Sequence, residues 1–256
     1  MASDLLDKQW DGWMASLSEN YIKTLDLLKE GKTKDASDLF EKEFVPTVKK
    51  AYSEVAEVYP VRFSKTDNWC VWTKQLYILT GMTERALSKK DIDDAFMFLA
   101  VLREHFNVLH QKADYRKSND YIYICYLKLN GDDPVLSRIP AIREKLEKST
   151  ARAKAPSDCT EEEKKDPKSS KDQKPKIEID EKAPMVDQMK AIYSLVESAT
   201  PSGRAKMDAD AYKNAKLEWS SGVSAVLADG KIDPEEMGPL RKKTEKFYRE
   251  FGIHFE

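Results

Sequence analysis

From Leu6 onward, large apolar residues recur three or four positions apart: Leu6, Trp10, Trp13, Leu17, Tyr21, Leu25 and Leu28. That spacing puts them on one face of an α-helix. A second stripe follows at Ala36, Leu39, Phe40, Phe44, Val48, Ala51, Tyr52 and Val55. It ends at "YPVRF", residues 59–63, because Pro60 cannot continue a helix. A third stripe (Trp69, Trp72, Leu76, Leu79, Met82, Ala86) and a fourth (Ala95, Phe98, Leu99, Leu102, His105, Phe106, Leu109) predict two more helices.

The run "DYIYICYLKLNG" carries β-branched and aromatic residues. With helices on both sides and no partner strand, it predicts a fifth helix that stops at Gly131. Asp133 and Pro134 then predict the start of a sixth, fading near residue 150. Three further helices are expected at about Met185–Ala199, Asp208–Ala228 and Pro234–Phe251, the first broken by "TPSG". The predicted fold class is all-α.

Two regularities organise these elements. "WDGW" at 10–13 and "WCVW" at 69–72 stand 59 residues apart. At the same offset Leu17 meets Leu76, Leu28 meets Leu87, Asp35 meets Asp94, Ala36 meets Ala95 and Phe40 meets Leu99. The expectation is an N-terminal bundle of two repeated helical hairpins plus extra helices. Residues 151–183 are dense in Lys, Glu, Asp, Ser and Pro, with Ile177 and Ile179 their large apolar residues. Such a segment buries too little surface to offset its ordering entropy, which predicts a disordered linker. The expected domains are 1–150, a helical-hairpin bundle, and 184–256, a small three-helix bundle.

Charge changes the picture little. Lys and Arg number 43 against 45 Asp and Glu, so no strong field steers nucleic acid or an anionic membrane. Charged residues make up 34% of the chain, above the usual quarter or so, and suit long solvated helices. No run of 18 apolar residues predicts a membrane span. Cys70, Cys125 and Cys159 are few, odd in number and far apart, which argues against a disulfide scaffold and for a reducing compartment. The expected location is the cytoplasm, with an exported protein that has lost its signal peptide as the alternative.

The stretch "LADGKIDPEE", Leu227 to Glu236, offers the most explicit candidate chemistry. Placing Gly230 at position 6 of an EF-hand loop puts Asp229, Asp233 and Glu236 at ligand positions 5, 9 and 12. Ala225 and Leu227 then fall at positions 1 and 3, which lack side-chain oxygens. A helix stop at Gly230, a cap at Asp233, Pro234 in the first turn and Glu236 three beyond the cap accounts for the same residues without a metal. "ADGKIDPEE" also resembles helical domains of the TerB type and degenerate EF-hands, over about ten residues. None of His105, His110 and His254 follows a Glu at the spacing a di-metal bundle site uses, and no nucleophile or phosphate-loop motif is present. His105, Cys70 and Cys125 read as core residues. No cofactor and no enzymatic activity are expected.

The paired Trp motifs are the most distinctive feature. They either seal the end of the bundle or line a groove for a partner helix or apolar ligand. The leading expectation is a helical interaction or scaffold protein that binds partner proteins and neither nucleic acid nor membrane. Its candidate contacts are Trp10, Trp13, Trp69, Trp72 and Tyr121, with Arg116 and Lys117 suited to an anionic partner. The alternative is a helical protein that binds a small ligand, near the Trp pairs, or a divalent metal at Asp229, Asp233 and Glu236.

Overall fold

The computed structural model describes residues 2–55, 60–63, 69–152 and 179–255, and the elements among them are all helical. Helix α1 (Ala2–Lys29) turns back through Gly31, whose φ of 74° suits a residue without a Cβ. Helix α2 (Thr33–Leu39) leads into a π-helical turn at Phe40–Phe44 and then α3 (Val45–Val55). The apolar stripe predicted one unbroken helix here. Pro46 explains the difference: it has no N–H to donate and its ring crowds the carbonyl four residues back. The chain widens instead, and the Val45 N–H donates to Phe40, five residues earlier.

Helix α4 (Trp69–Ser88) and α5 (Ile92–Lys112) form the next antiparallel pair. Lys90 between them has φ 58°, and the Asp91 carboxylate caps α5 by accepting from the Asp94 N–H. The positions paired at the offset of 59 are buried in both segments for the Trp, Leu, Ala and Phe/Leu pairs. The segments themselves differ, since the first is interrupted at Phe40–Phe44 and α5 runs without interruption. A repeated hairpin is therefore not established.

Helix α6 (Ser118–Leu129) follows, then a short turn and α7 (Ile139–Arg152). Asp133 accepts from the N–H groups of Val135 and Leu136, so it caps the turn; the α-helix begins six residues after the expected cap. Of the expected linker, residues 153–178 lie outside the described residues. Arg152 ends α7, and Ile179 packs against the core.

The C-terminal helices are α8 (Met185–Ser198), the short α9 (Gly203–Met207), α10 (Ala209–Leu227) and α11 (Pro234–Phe247), which closes in a π-helical turn at Tyr248–Gly252. They pack on α6, and one hydrophobic core runs through residues on both sides of 151–183. The expectation of two separate modules thus meets one shared core. Its hub is Arg103 on α5, fully buried, whose Nε and Nη2 donate to the Gly252 carbonyl at 3.1 and 3.0 Å. Nη2 also reaches Asp120 Oδ1 at 3.2 Å. Asn119 Nδ2 holds the His254 carbonyl, and the Phe255 N–H donates to Ser18 on α1. Neither a core-crossing arginine nor the terminal phenylalanine shows in a pattern of apolar spacing.

His105 stacks on Trp72 with ring centres 4.6 Å apart, and its Nε2 donates to the Trp72 carbonyl at 3.0 Å. Burial pushes its pKa down to about 3 from the usual 6.5. The unfolded chain therefore takes up a proton near pH 6.5 that the folded chain refuses until about pH 3. Stability is full above pH 6.5 and falls as pH drops from there towards 3. The midpoint of urea unfolding should fall between pH 7 and 5 by an amount equivalent to about 2 kcal/mol for this one group. His105→Gln should flatten that slope; an equal slope in the variant would refute the assignment.

Candidate functional site

The four tryptophans do not form a partner surface. Trp10, Trp13, Trp69 and Trp72 expose 9% or less of their area. Trp10 lies 5.5 Å from Trp69 and 6.1 Å from Trp72, ring centre to ring centre, and Phe63 closes the cluster. The indole N–H groups of Trp69 and Trp72 donate to the carbonyls of Val55 and His105. Trp10, Trp69 and Trp72, packed ring to ring at these distances, are core, and Trp13 is buried beside them in sequence, so none of the four offers the exposed ring that the interface reading needs.

Arg116, Lys117 and Tyr121 are half-buried at the start of α6. Arg116 donates to Gln111, the Lys117 ammonium sits 4.6 Å from the centre of the Tyr115 ring, and Tyr121 packs on the core. Burial lowers the Arg116 pKa despite nearby Asp120. These side chains make contacts within the chain and do not extend the Trp cluster into a groove.

The metal alternative gains no support. Asp233 and Glu236 form a capping box at the start of α11, Pro234 occupies its first turn, and Gly230 takes φ 78°. Asp229 accepts from the Lys231 N–H. These contacts are local turn and cap chemistry. No group of three or more His, Cys, Asp or Glu among the described residues is placed to hold a metal ion.

The cysteines diverge from expectation in one case. Cys125 is a buried free thiol, pushed by burial up to about 12 and so inert as a nucleophile at neutral pH. Cys70 is disulfide-bonded. Its flanking tryptophans made it look like core filler, but it is half-buried.

Arg103, Asp120 and His110 form a fully buried trio, with Asp120 Oδ2 2.9 Å from His110 Nδ1. Burial opposes ionisation of Asp120, yet His110 and Arg103 outweigh it and hold its pKa below the usual carboxylate value. An Asp–His pair invites a catalytic reading. All three side chains are completely closed off from solvent, and Arg103 links the trio to the backbone of the C-terminal turn, so their role is to join helices.

The feature that can take a ligand lies beside this trio. A cavity of about 340 Å³ opens between α1, α5, α6 and the C-terminal turn. Ile22 and Leu25 on α1, Phe96 and Ala100 on α5 and Ile253 give it apolar walls. Four phenols, Tyr21, Tyr123, Tyr126 and Tyr248, converge on it. Tyr126 and Tyr248 stack at 4.2 Å, and Tyr21 donates to the Leu99 carbonyl. The Tyr123 hydroxyl is buried and has no hydrogen-bond partner among the described residues. Burial raises all four phenol pKa values, Tyr126 to about 12, so each is a neutral hydroxyl at physiological pH. At the mouth Arg249 pairs with Asp26 at 2.5 Å and Lys29 approaches Glu245 at 4.0 Å.

A wider depression of about 490 Å³ lies over Lys242, Lys246 and Glu250, but its walls are the exposed ends of charged side chains and offer a small molecule little burial. The phenols of the tyrosine cavity were visible in the sequence as an aromatic-rich stretch at 114–126 and as members of apolar stripes. Their convergence depends on α6 meeting α1 and the C-terminal turn, which no local spacing encodes. Compared with protein-family models, curated proteins and solved structures, the chain matches none.

Proposed function

We propose that this protein binds a small amphipathic molecule in the tyrosine-lined cavity, without catalysing a reaction on it. The observation that carries this reading is the convergence of four neutral phenols, Tyr21, Tyr123, Tyr126 and Tyr248, on a cavity of about 340 Å³ with apolar walls. Small-molecule sites combine apolar walls with a few fixed polar groups. The cavity's inner phenols are neutral, and its charged groups sit at the mouth in ion pairs, which suits holding better than transforming. A partner protein gripping the tryptophans loses its support, because those rings are already packed against one another. The disulfide at Cys70 favours the exported alternative over the cytoplasmic one. Among the described residues no helix is long and apolar enough to cross a membrane.

The test is a titration with N-phenyl-1-naphthylamine, a neutral apolar dye that brightens on burial. The intact protein should bind it saturably. Ala100→Phe, which projects a ring into the cavity from a half-buried helical position, should weaken binding at least about tenfold, the equivalent of roughly 1.4 kcal/mol, with an unchanged melting temperature. Absence of saturable binding, or equal binding by the variant, would contradict the proposal.

A further inference from the structure

We infer that the ligand of this cavity is an uncharged amphiphile, of the alcohol class, whose hydroxyl lies at Tyr126 near the mouth and whose carbon body fills the space between α1, α5 and the stacked pair Tyr126 and Tyr248. This rests on the cavity being the binding site. Of the four phenols, Tyr21, Tyr123 and Tyr248 are buried and Tyr126 is half-buried. The Tyr21 hydroxyl donates to the Leu99 carbonyl, and the Tyr123 hydroxyl is closed off from solvent. The Tyr126 hydroxyl has no hydrogen-bond partner among the described residues, so it is the phenol that a ligand can bond. It stands on the mouth side: burial, and then the nearby Glu245 and Asp133 carboxylates, push its pKa up to about 12. An intact hydroxyl both donates and accepts, which matches a hydroxyl on the ligand.

A charged head finds no counter-charge waiting for it. Asp26 pairs with Arg249 at 2.5 Å, and Glu245 lies 4.0 Å from Lys29. Asp133 is exposed and accepts from the N–H groups of Val135 and Leu136. A carboxylate at Tyr126 would approach Glu245 and Asp133, and would reach Arg249 only by taking it from Asp26. An ammonium would have to draw Asp26 or Glu245 from its cation, or lean on Asp133, where water screens the charge. Exchanging one exposed ion pair for another gains little, while seating the carbon body strips water from the head. A neutral hydroxyl gives up less hydration than an ion does and recovers a hydrogen bond at Tyr126.

The experiment displaces bound N-phenyl-1-naphthylamine with decanol, decanoate and decylammonium, which share one body and differ in the head. Decanol should displace the dye at a concentration at least about tenfold lower than either ion, the cost of bringing an unpaired charge to the mouth. Tyr126→Phe keeps the ring that stacks on Tyr248 and removes the hydroxyl. The ratio of decanol affinity to dye affinity should then fall about fivefold, as expected for one neutral hydrogen bond. Displacement by decanoate or decylammonium at the concentration that decanol needs, or an unchanged ratio in Tyr126→Phe, overturns the inference while the cavity still binds the dye. Failure of the intact protein to bind the dye overturns the cavity reading and this inference with it.

Discussion

Arg103→Met should lower the stability of the fold by about 3–5 kcal/mol, the usual result of removing one member of a buried ion pair. The guanidinium is fully buried and donates to the Gly252 carbonyl, the Asn119 carbonyl and the Asp120 carboxylate. Methionine fills much of the volume but supplies no donor. Asp120 is left with the His110 ring and the Lys117 N–H as its partners, and the Gly252 carbonyl loses both of its Arg103 donors. Arg103→Lys should rescue little, since one ammonium cannot reach partners arranged around a planar fork. Urea unfolding followed by circular dichroism measures the loss, and a change below about 1 kcal/mol, the size of a typical surface effect, would show that the trio is not a structural hub. Asp120 adds an acid limb to the same test. Its folded pKa is lowered, so its contribution is full above the unfolded value and disappears as pH falls through the folded one.

The second large effect concerns the last residues of the chain. Phe255→Ala should cost about 3–5 kcal/mol, as for other buried phenylalanines. The ring is fully buried, stacked on Phe106 at 4.4 Å and edge-on to Tyr21 at 5.0 Å. Its backbone N–H donates to Ser18. A residue beside the C-terminus thereby ties the C-terminal turn to α1 and α5. Hydrogen exchange should speed up in α1, α5 and α11 together. Loss confined to the final few residues, with an unchanged urea midpoint, would mean that the terminus frays independently and that the shared core does not depend on it.

Much of the helical architecture was legible because each apolar stripe has one solution, a helix with one buried face. The last bend was legible too: Gly230 and Asp233 carry turn and cap chemistry that local backbone geometry demands. What escaped was whatever depends on distant segments meeting. Pro46 sits inside a regular stripe, and its cost appears only as a π-helical turn. Trp10 and Trp69 read equally well as a groove or as a core until α1 and α4 are placed together. Arg103 occupies a charged position that apolar spacing assigns to solvent; burial becomes possible through Asp120 from α6 and a backbone carbonyl 149 residues away. The cavity's tyrosines come from α1, α6 and the C-terminal turn, and a phenol reads the same in sequence whether its hydroxyl has a partner or lacks one.

The most direct test of the account is a map of amide chemical-shift changes as N-phenyl-1-naphthylamine is added to the ¹⁵N-labelled full chain. If the tyrosine cavity is the site, the largest saturable changes fall on Tyr21, Ala100, Tyr123, Tyr126 and Tyr248, and they vanish in Ala100→Phe. Changes centred instead on the α10–α11 bend or the Trp10–Trp69 cluster, or no saturable change at all, would contradict it.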